Sequence, residues 1–174
     1  MKLKKLATAA LAMTFVLSGC GGSEDDGKNV SSVTGKEKFV VGMECNYAPF
    51  NWQSNEQTDT SVAIGGAGYC DGYDVRVARY VAEQLDREIE VKKVSWEGLQ
   101  PALNSGEIDA VIAGMTADDK RRAGMDFTTP YYESEMVMIV RKSDQKVAKY
   151  NEIQQLKGKT VLGQKSTTYD TVID

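Results

Sequence analysis

Residues 108–132 read IDAVIAGMTADDKRRAGMDFTTPYY. The apolar run over 108–114 has the length and composition of a buried strand. It breaks at Gly114 and passes through Met115 and Thr116 into a cluster of acids and bases. Asp118 is placed to cap a short helix carrying Lys120, Arg121 and Arg122. An anion lying just beyond Gly114 would meet closely approaching backbone, the Thr116 hydroxyl and the start of that helix. From inside the helix, Arg121 could swing back and hold a carboxylate with two parallel hydrogen bonds. A charge cluster standing alone reads more simply as a solvated helix face, so the surrounding elements decide between the two.

Working outward, KFVVGMEC (38–45) is a strand of β-branched and aromatic residues leading to Gly42. NYAPFNW (46–52) follows as a loop, and the polar, Gly-rich stretch 53–72 is an exposed insertion or long hairpin. Asp74 reads as the N-cap of a helix that sets Val75, Ala78, Val81, Ala82 and Leu85 on one apolar face. EIEVKKV (88–94) alternates like a strand, and WEGLQPALNSG (96–106) reads as a helix closed by Gly106. Strands alternating with helices predict a parallel sheet, where ligands gather outside the carboxyl ends of the strands. Glu44, Trp96 and Thr116 fall at three such ends. Further on, EMVMIVRKSD (135–144) reads as a strand leading out, and residues 151–174 as helix, strand, loop and the start of a helix.

The chain has 174 residues, 41% hydrophobic and 26% charged, the composition of an ordinary globular protein. A net charge of −4 argues against a nucleic-acid surface. Lys2, Lys4 and Lys5 precede an apolar run from Leu6 to Leu17 that is short for a membrane span, the order of an export signal. It ends in Leu17-Ser18-Gly19-Cys20, which resembles the lipobox of bacterial lipoproteins. Residues 1–19 are therefore expected to be a leader and Cys20 a lipidated N-terminus, a membrane anchor on the extracytoplasmic face. Loss of the three lysines would take the net charge from −4 to −7. Residues 20–37 are rich in Gly, Ser and charge and read as a flexible tether. In an exported chain Cys45 and Cys70 are either a disulfide or two small buried hydrophobes. With no histidine, Ser/His/Asp and Cys/His catalytic arrangements are excluded and a metal site is not expected.

VGMECNYAPFNW, GYDVRVARYVAEQL, WEGLQPALNSGEIDAVIAGMTADDKRR and MDFTTPYYES, in this order, resemble the amino-acid-binding family of bacterial extracellular solute-binding proteins, which serve ABC importers. The resemblance runs from Lys38 to the end and is most specific from Leu103 through Tyr132. It implies an α/β fold of the type II periplasmic-binding-protein kind, with a first lobe over 38–137, then a hinge strand and the beginning of an incomplete second lobe over 138–174. The implied function is an importer's binding component for an L-amino acid, a lipid-anchored monomer that meets an ABC permease in the membrane and carries neither cofactor nor catalytic group. Two alternatives share the fold: a sensory amino-acid-binding domain and a dehydratase-like enzyme.

Carried over by residue, Arg121 stands where the family's arginine binds the ligand carboxylate, with Thr116 beside it. The Gly114 carbonyl stands where the ammonium is held, with Met115 following it. Tyr47 and Trp96 occupy the two aromatic positions that sandwich the ligand side chain, and Glu44 sits where an acid meets its polar end. Thr167 and Thr168 match a Thr pair that closes on the carboxylate. Glu44 between two rings suits a cationic side chain or a polar amide. Against the family pattern the sequence also shows departures: Asp118 replaces Thr or Ser, a Glu usual near Lys120 is missing, Ser166 replaces a Gly, and the Cys-flanked insertion is longer. Phe50 and Trp52 are expected to be loop packing, and Tyr131 and Tyr132 to pack near a hinge.

Overall fold

The computed structural model describes residues 37–66 and 68–173, so the expected leader, most of the tether and Cys20 lie outside the described residues. Its centre is a three-stranded parallel sheet. The middle strand is β1 (Lys38–Met43), whose Phe39, Val41 and Met43 are all buried. A strand covered on both faces has no polar side to turn outward, and the run of apolar residues follows from that position.

A second, antiparallel sheet is built by the insertion. It uses β2 (Asn46–Tyr47), β3 (Asn51–Ser54), β4 (Val62–Ala63) and β5 (Tyr69–Asp71), in the order β2-β3-β5-β4. Residues 53–72 therefore form an out-and-back hairpin, and Cys70 near its end is joined by a disulfide to Cys45, just after β1.

The chain then enters helix α1 (Tyr73–Gln84), which packs Val75, Ala78 and Ala82 into the core. Gly72, not Asp74, is its N-cap, and no side chain caps it. Only glycine fits there, since φ is 130° and a Cβ would lie 2.3 Å from the Phe50 carbonyl oxygen. Leu85 was expected on the apolar face but is half exposed, because the helix ends at Gln84 and Leu85 forms its C-cap.

Strand β6 (Glu88–Lys93) returns alongside β1, pairing Lys38 with Glu88 through Met43 with Lys93. A single 3-10 turn at Trp96–Gly98 leads into α2 (Leu99–Asn104), which ends at Gly106 in the left-handed region. Gly42 lets this helix lie close: a Cβ there would sit 2.5 Å from Ile108 Cδ1 and 3.1 Å from Leu99 Cδ2. Strand β7 (Ala110–Val111) completes the sheet on the other side of β1, giving the order β6-β1-β7. The ladder is shorter than the apolar run 108–114 suggested, since the chain turns away as it approaches Gly114.

Downstream come α3 (Asp119–Arg122), two 3-10 turns at Val147–Lys149 and Ile153–Leu156, and α4 (Thr168–Ile173). The two strands expected within 135–144 and near 159–163 are absent. Val137, Ile139 and Leu162 are exposed, and these runs have no neighbouring strand among the described residues to supply ladder hydrogen bonds.

Candidate ligand-binding site

The carboxyl ends of β1, β6 and β7 lie side by side because the three strands run parallel. The loops leaving them carry Glu44, Trp96 and Thr116 to one end of the sheet. A small cleft there, with about 50 Å³ of internal space, is lined by Glu44, Tyr47, Trp96, Gly114, Thr116, Arg121, Thr167 and Thr168. Met115 is not among the lining residues and sits half-buried beside it. Four further residues line the cleft that the sequence reading did not single out: Asn51, Ala113, Gln164 and Tyr169.

Arg121 is held by its own helix. The Asp118 carboxylate caps α3 by accepting the Arg121 N–H at 2.8 Å and lies 3.5 Å from the guanidinium. That guanidinium donates to the Thr116 carbonyl at 2.6 Å and to the Ser166 carbonyl at 3.3 Å, and stacks 5.4 Å from the centre of the Trp96 ring. Its side chain is only 11% exposed, so the charge is aimed into the cleft rather than out to solvent. The indole N–H of Trp96 donates to the same Ser166 carbonyl at 2.9 Å.

Ser166 takes up the left-handed conformation, φ 62°, which glycine adopts without the cost of a Cβ. Its position in the 164–168 turn is locked locally. The Thr167 hydroxyl donates to the Gln164 carbonyl at 2.6 Å, and the Asp170 carboxylate accepts the Ser166 N–H at 2.9 Å. Opposite, the Gln164 amide donates to both Glu44 oxygens at 3.3 Å, so Glu44 faces hydrogen-bond donors across the cleft.

On the remaining wall, Tyr47 packs against Gly114. A Cβ on Gly114, whose φ is 60°, would lie 3.0 Å from Tyr47 Cε1. Burial and a hydrogen bond with Tyr169 push the Tyr47 phenol above its ordinary value, so its hydroxyl stays protonated. Phe50 stacks on Tyr47 at 5.0 Å and meets Tyr132 edge-on at 5.0 Å, as packing around the site.

Tyr131, expected near a hinge, instead reaches under the cleft. Its hydroxyl accepts the Gly114 N–H at 3.1 Å and donates to Asp74 at 2.7 Å. Asp74 is fully buried and also accepts from the Asn51 amide at 2.7 Å. Burial raises its pKa, and the two donors oppose that shift. Burial and the neighbouring Asp74 charge raise the Tyr131 pKa as well.

Chemically the cleft offers one buried-stem guanidinium, three aromatic residues, a row of hydroxyl and carbonyl groups, and one carboxylate. Among the described residues no cluster of His, Cys, Asp and Glu is arranged to hold a metal. Such a set can bind a small molecule bearing both an anionic and a cationic or amide group.

Comparison with known proteins agrees in kind. The pattern of the bacterial extracellular solute-binding proteins, family 3, matches residues 39–170. The arginine-binding extracellular protein ArtP of Bacillus subtilis is 33% identical over 161 residues, 92% of this chain and 55% of that protein. A probable histidine-binding protein of Neisseria gonorrhoeae is 34% identical over 143 residues, covering 82% and 49%. The L-cystine-binding protein TcyJ of Escherichia coli is 30% identical over 175 residues, covering 98% and 60%. An ancestral arginine-binding protein bound to arginine is 34% identical, with a TM-score of 0.48 over 56% of this chain and 38% of that one. This chain thus spans about half to three-fifths of the curated relatives it matches. The family match takes in β1, the Arg121 helix and the Thr167-Thr168 pair together, and the chain belongs to the bacterial extracellular solute-binding proteins of family 3.

Proposed function

We propose that this chain is the extracytoplasmic binding component of an ABC importer for an L-amino acid with a basic or polar side chain. Cys20 anchors it by lipid to the outer face of the cell membrane, and it works as a monomer presenting its ligand to the permease. The observation that carries this reading is the convergence of Arg121, Trp96, Tyr47, Glu44 and the Thr167-Thr168 turn on one cleft at three parallel strand ends.

A zwitterion leaving water needs both charges met, since an unpaired charge in a closed cleft costs several kcal/mol. Arg121 with Thr116 takes the carboxylate, and the Thr167 and Thr168 side closes over it. The Ser166 carbonyl now occupying both Arg121 and Trp96 is the group a ligand would displace. The Gly114 carbonyl accepts from the ammonium. Tyr47 and Trp96 flank the ligand side chain, with Glu44 at its far end. A guanidinium or ammonium there gains charge pairing and cation–π contact, and an amide gains hydrogen bonds. An acidic side chain would be repelled by Glu44. The relatives named for arginine, histidine and cystine fit the same chemistry.

Calorimetric titration with the twenty amino acids tests this. Saturable one-to-one binding of a basic or polar amino acid is expected, and strongest binding of aspartate or glutamate would overturn the assignment of Glu44.

A further inference from the structure

Beneath the cleft, five groups form a hydrogen-bond chain with one direction. The Gly114 N–H donates to the Tyr131 oxygen at 3.1 Å, and the Tyr131 O–H donates to Asp74 Oδ1 at 2.7 Å. From the other side, the Cys45 N–H donates to Asn51 Oδ1 at 2.8 Å, and the Asn51 amide donates to Asp74 Oδ2 at 2.7 Å. Every donor points toward Asp74. Because the Tyr131 hydroxyl receives the Gly114 N–H, its own proton is free to go to the carboxylate, and the Asn51 amide can only donate to Oδ2 through its nitrogen. Two donors on two oxygens match an ionised carboxylate.

Asp74 has no cation beside it: the ion pairs among the described residues are formed by Lys38, Arg87, Lys92 and Arg121 with other acids. A fully buried carboxylate without a counter-charge is costly, and hydrogen bonds offset only part of that cost. Its position makes sense of it. A Cβ on Gly114 would lie 3.9 Å from Asp74 Oδ2, so the negative charge sits directly behind the strand-end glycine that lines the cleft.

We infer that Asp74 is a positioning residue for the ligand's ammonium group, acting through Tyr131 and the Ala113–Gly114 peptide. This rests on the amino-acid-binding reading above. Gly114 has no side chain to restrain it and lies in the left-handed region, where the preceding peptide could turn over. Turned over, its N–H would face the cleft and oppose a cation. Held on Tyr131 and Asp74, the N–H is withdrawn from the cleft, and the Asp74 charge adds a negative potential behind the surface where the ammonium must sit. Carboxylate recognition by Arg121 uses none of these groups and is independent of them.

The test compares L-arginine with its desamino analogue, which keeps the carboxylate and guanidinium and lacks the ammonium. Calorimetry on wild type, Asp74→Asn and Tyr131→Phe gives the preference for the amino acid over the analogue in each. Both substitutions should lower that preference roughly tenfold or more, by weakening L-arginine while leaving the analogue within about threefold. Tyr131→Phe keeps the ring and removes only the hydroxyl, so it decides the matter if Asp74→Asn fails to fold. An unchanged preference, with both compounds weakened alike or neither weakened, would overturn the inference and leave the amino-acid reading standing. A wild-type protein that binds neither these compounds nor any of the other nineteen amino acids would overturn both.

Discussion

In the proposed function Arg121 is the residue on which recognition turns, and its present partners say what its loss would do. Among the described residues its nearly buried guanidinium meets two backbone carbonyls, the Asp118 carboxylate and the Trp96 ring, a set that leaves room for a ligand anion to use its charge more fully. Arg121→Ala should cost about 2–5 kcal/mol of amino-acid binding by leaving the carboxylate unpaired. Calorimetric affinity within a factor of about three of wild type would contradict that role. Gly114→Ala should destabilise the fold by about 1–2 kcal/mol, from the left-handed backbone and the contact with Tyr47, as read from the denaturant midpoint. Ser166→Gly should act oppositely, relieving the strained φ and adding up to about 1 kcal/mol, less the extra chain entropy of glycine. A fall in stability for that variant would mean that the Ser166 side chain holds the turn. Thr116, Trp96 and Glu44 were legible in the sequence because the order of strands and helices follows from apolar periodicity, and Arg121 because Asp118 marks the cap of its short helix. Asp74 was not. A buried acid and a helix cap look alike ahead of an apolar helix face, and the partners that distinguish them, Asn51 and Tyr131, lie 23 and 57 residues away.

Among the elements, the parallel sheet β6-β1-β7 and its helices follow directly from apolar periodicity. Gln164 escaped notice because it meets Glu44 from 120 residues away. The expected strands within 135–144 and near 159–163 failed for a different reason: an apolar, β-branched run states a preference, but a strand also needs a neighbour, and no described strand lies alongside. The Cys45–Cys70 disulfide joins the residues just after β1 to β5 and closes the hairpin that carries Asn51. Replacing both cysteines with alanine should cost about 2–4 kcal/mol of stability. It should also weaken binding, since the disulfide fixes the segment whose Cys45 backbone N–H, retained in the variant, orients Asn51. Thermal melts of the double variant under reducing and oxidising conditions check this: equal melts in the variant, and a reductant-sensitive melt in wild type, are expected.

For the whole molecule, two buried acids act in opposite senses on stability. Asp74 has a folded pKa raised above 3.8, chiefly by burial, so the native state binds a proton more readily than the unfolded chain. Its contribution therefore falls as pH rises from about 4 through the folded pKa. Burial also pushes Asp71 up, but hydrogen bonds from Thr58, Thr60 and the Gly72 N–H outweigh it and hold Asp71 below 3.8. Its stabilising contribution is present above that value and is lost as pH falls through the folded pKa. The stability of wild type relative to Asp74→Asn should decline with rising pH across the weakly acidic range, measured by denaturant unfolding; a rising difference would mean that the Asp74 carboxylate is net stabilised by its donors. The fold is α/β of the type II periplasmic-binding-protein kind, and the chain belongs to the family 3 solute-binding proteins. In the proposed function one cleft at three strand ends, lined by Arg121, takes the amino acid through that guanidinium. The most direct measurement is calorimetric titration of wild type and Arg121→Ala with L-arginine and the other nineteen amino acids. Saturable one-to-one binding of a basic or polar amino acid, lost in Arg121→Ala, is the predicted result. Absence of heat with all twenty, or binding untouched by the substitution, would contradict it.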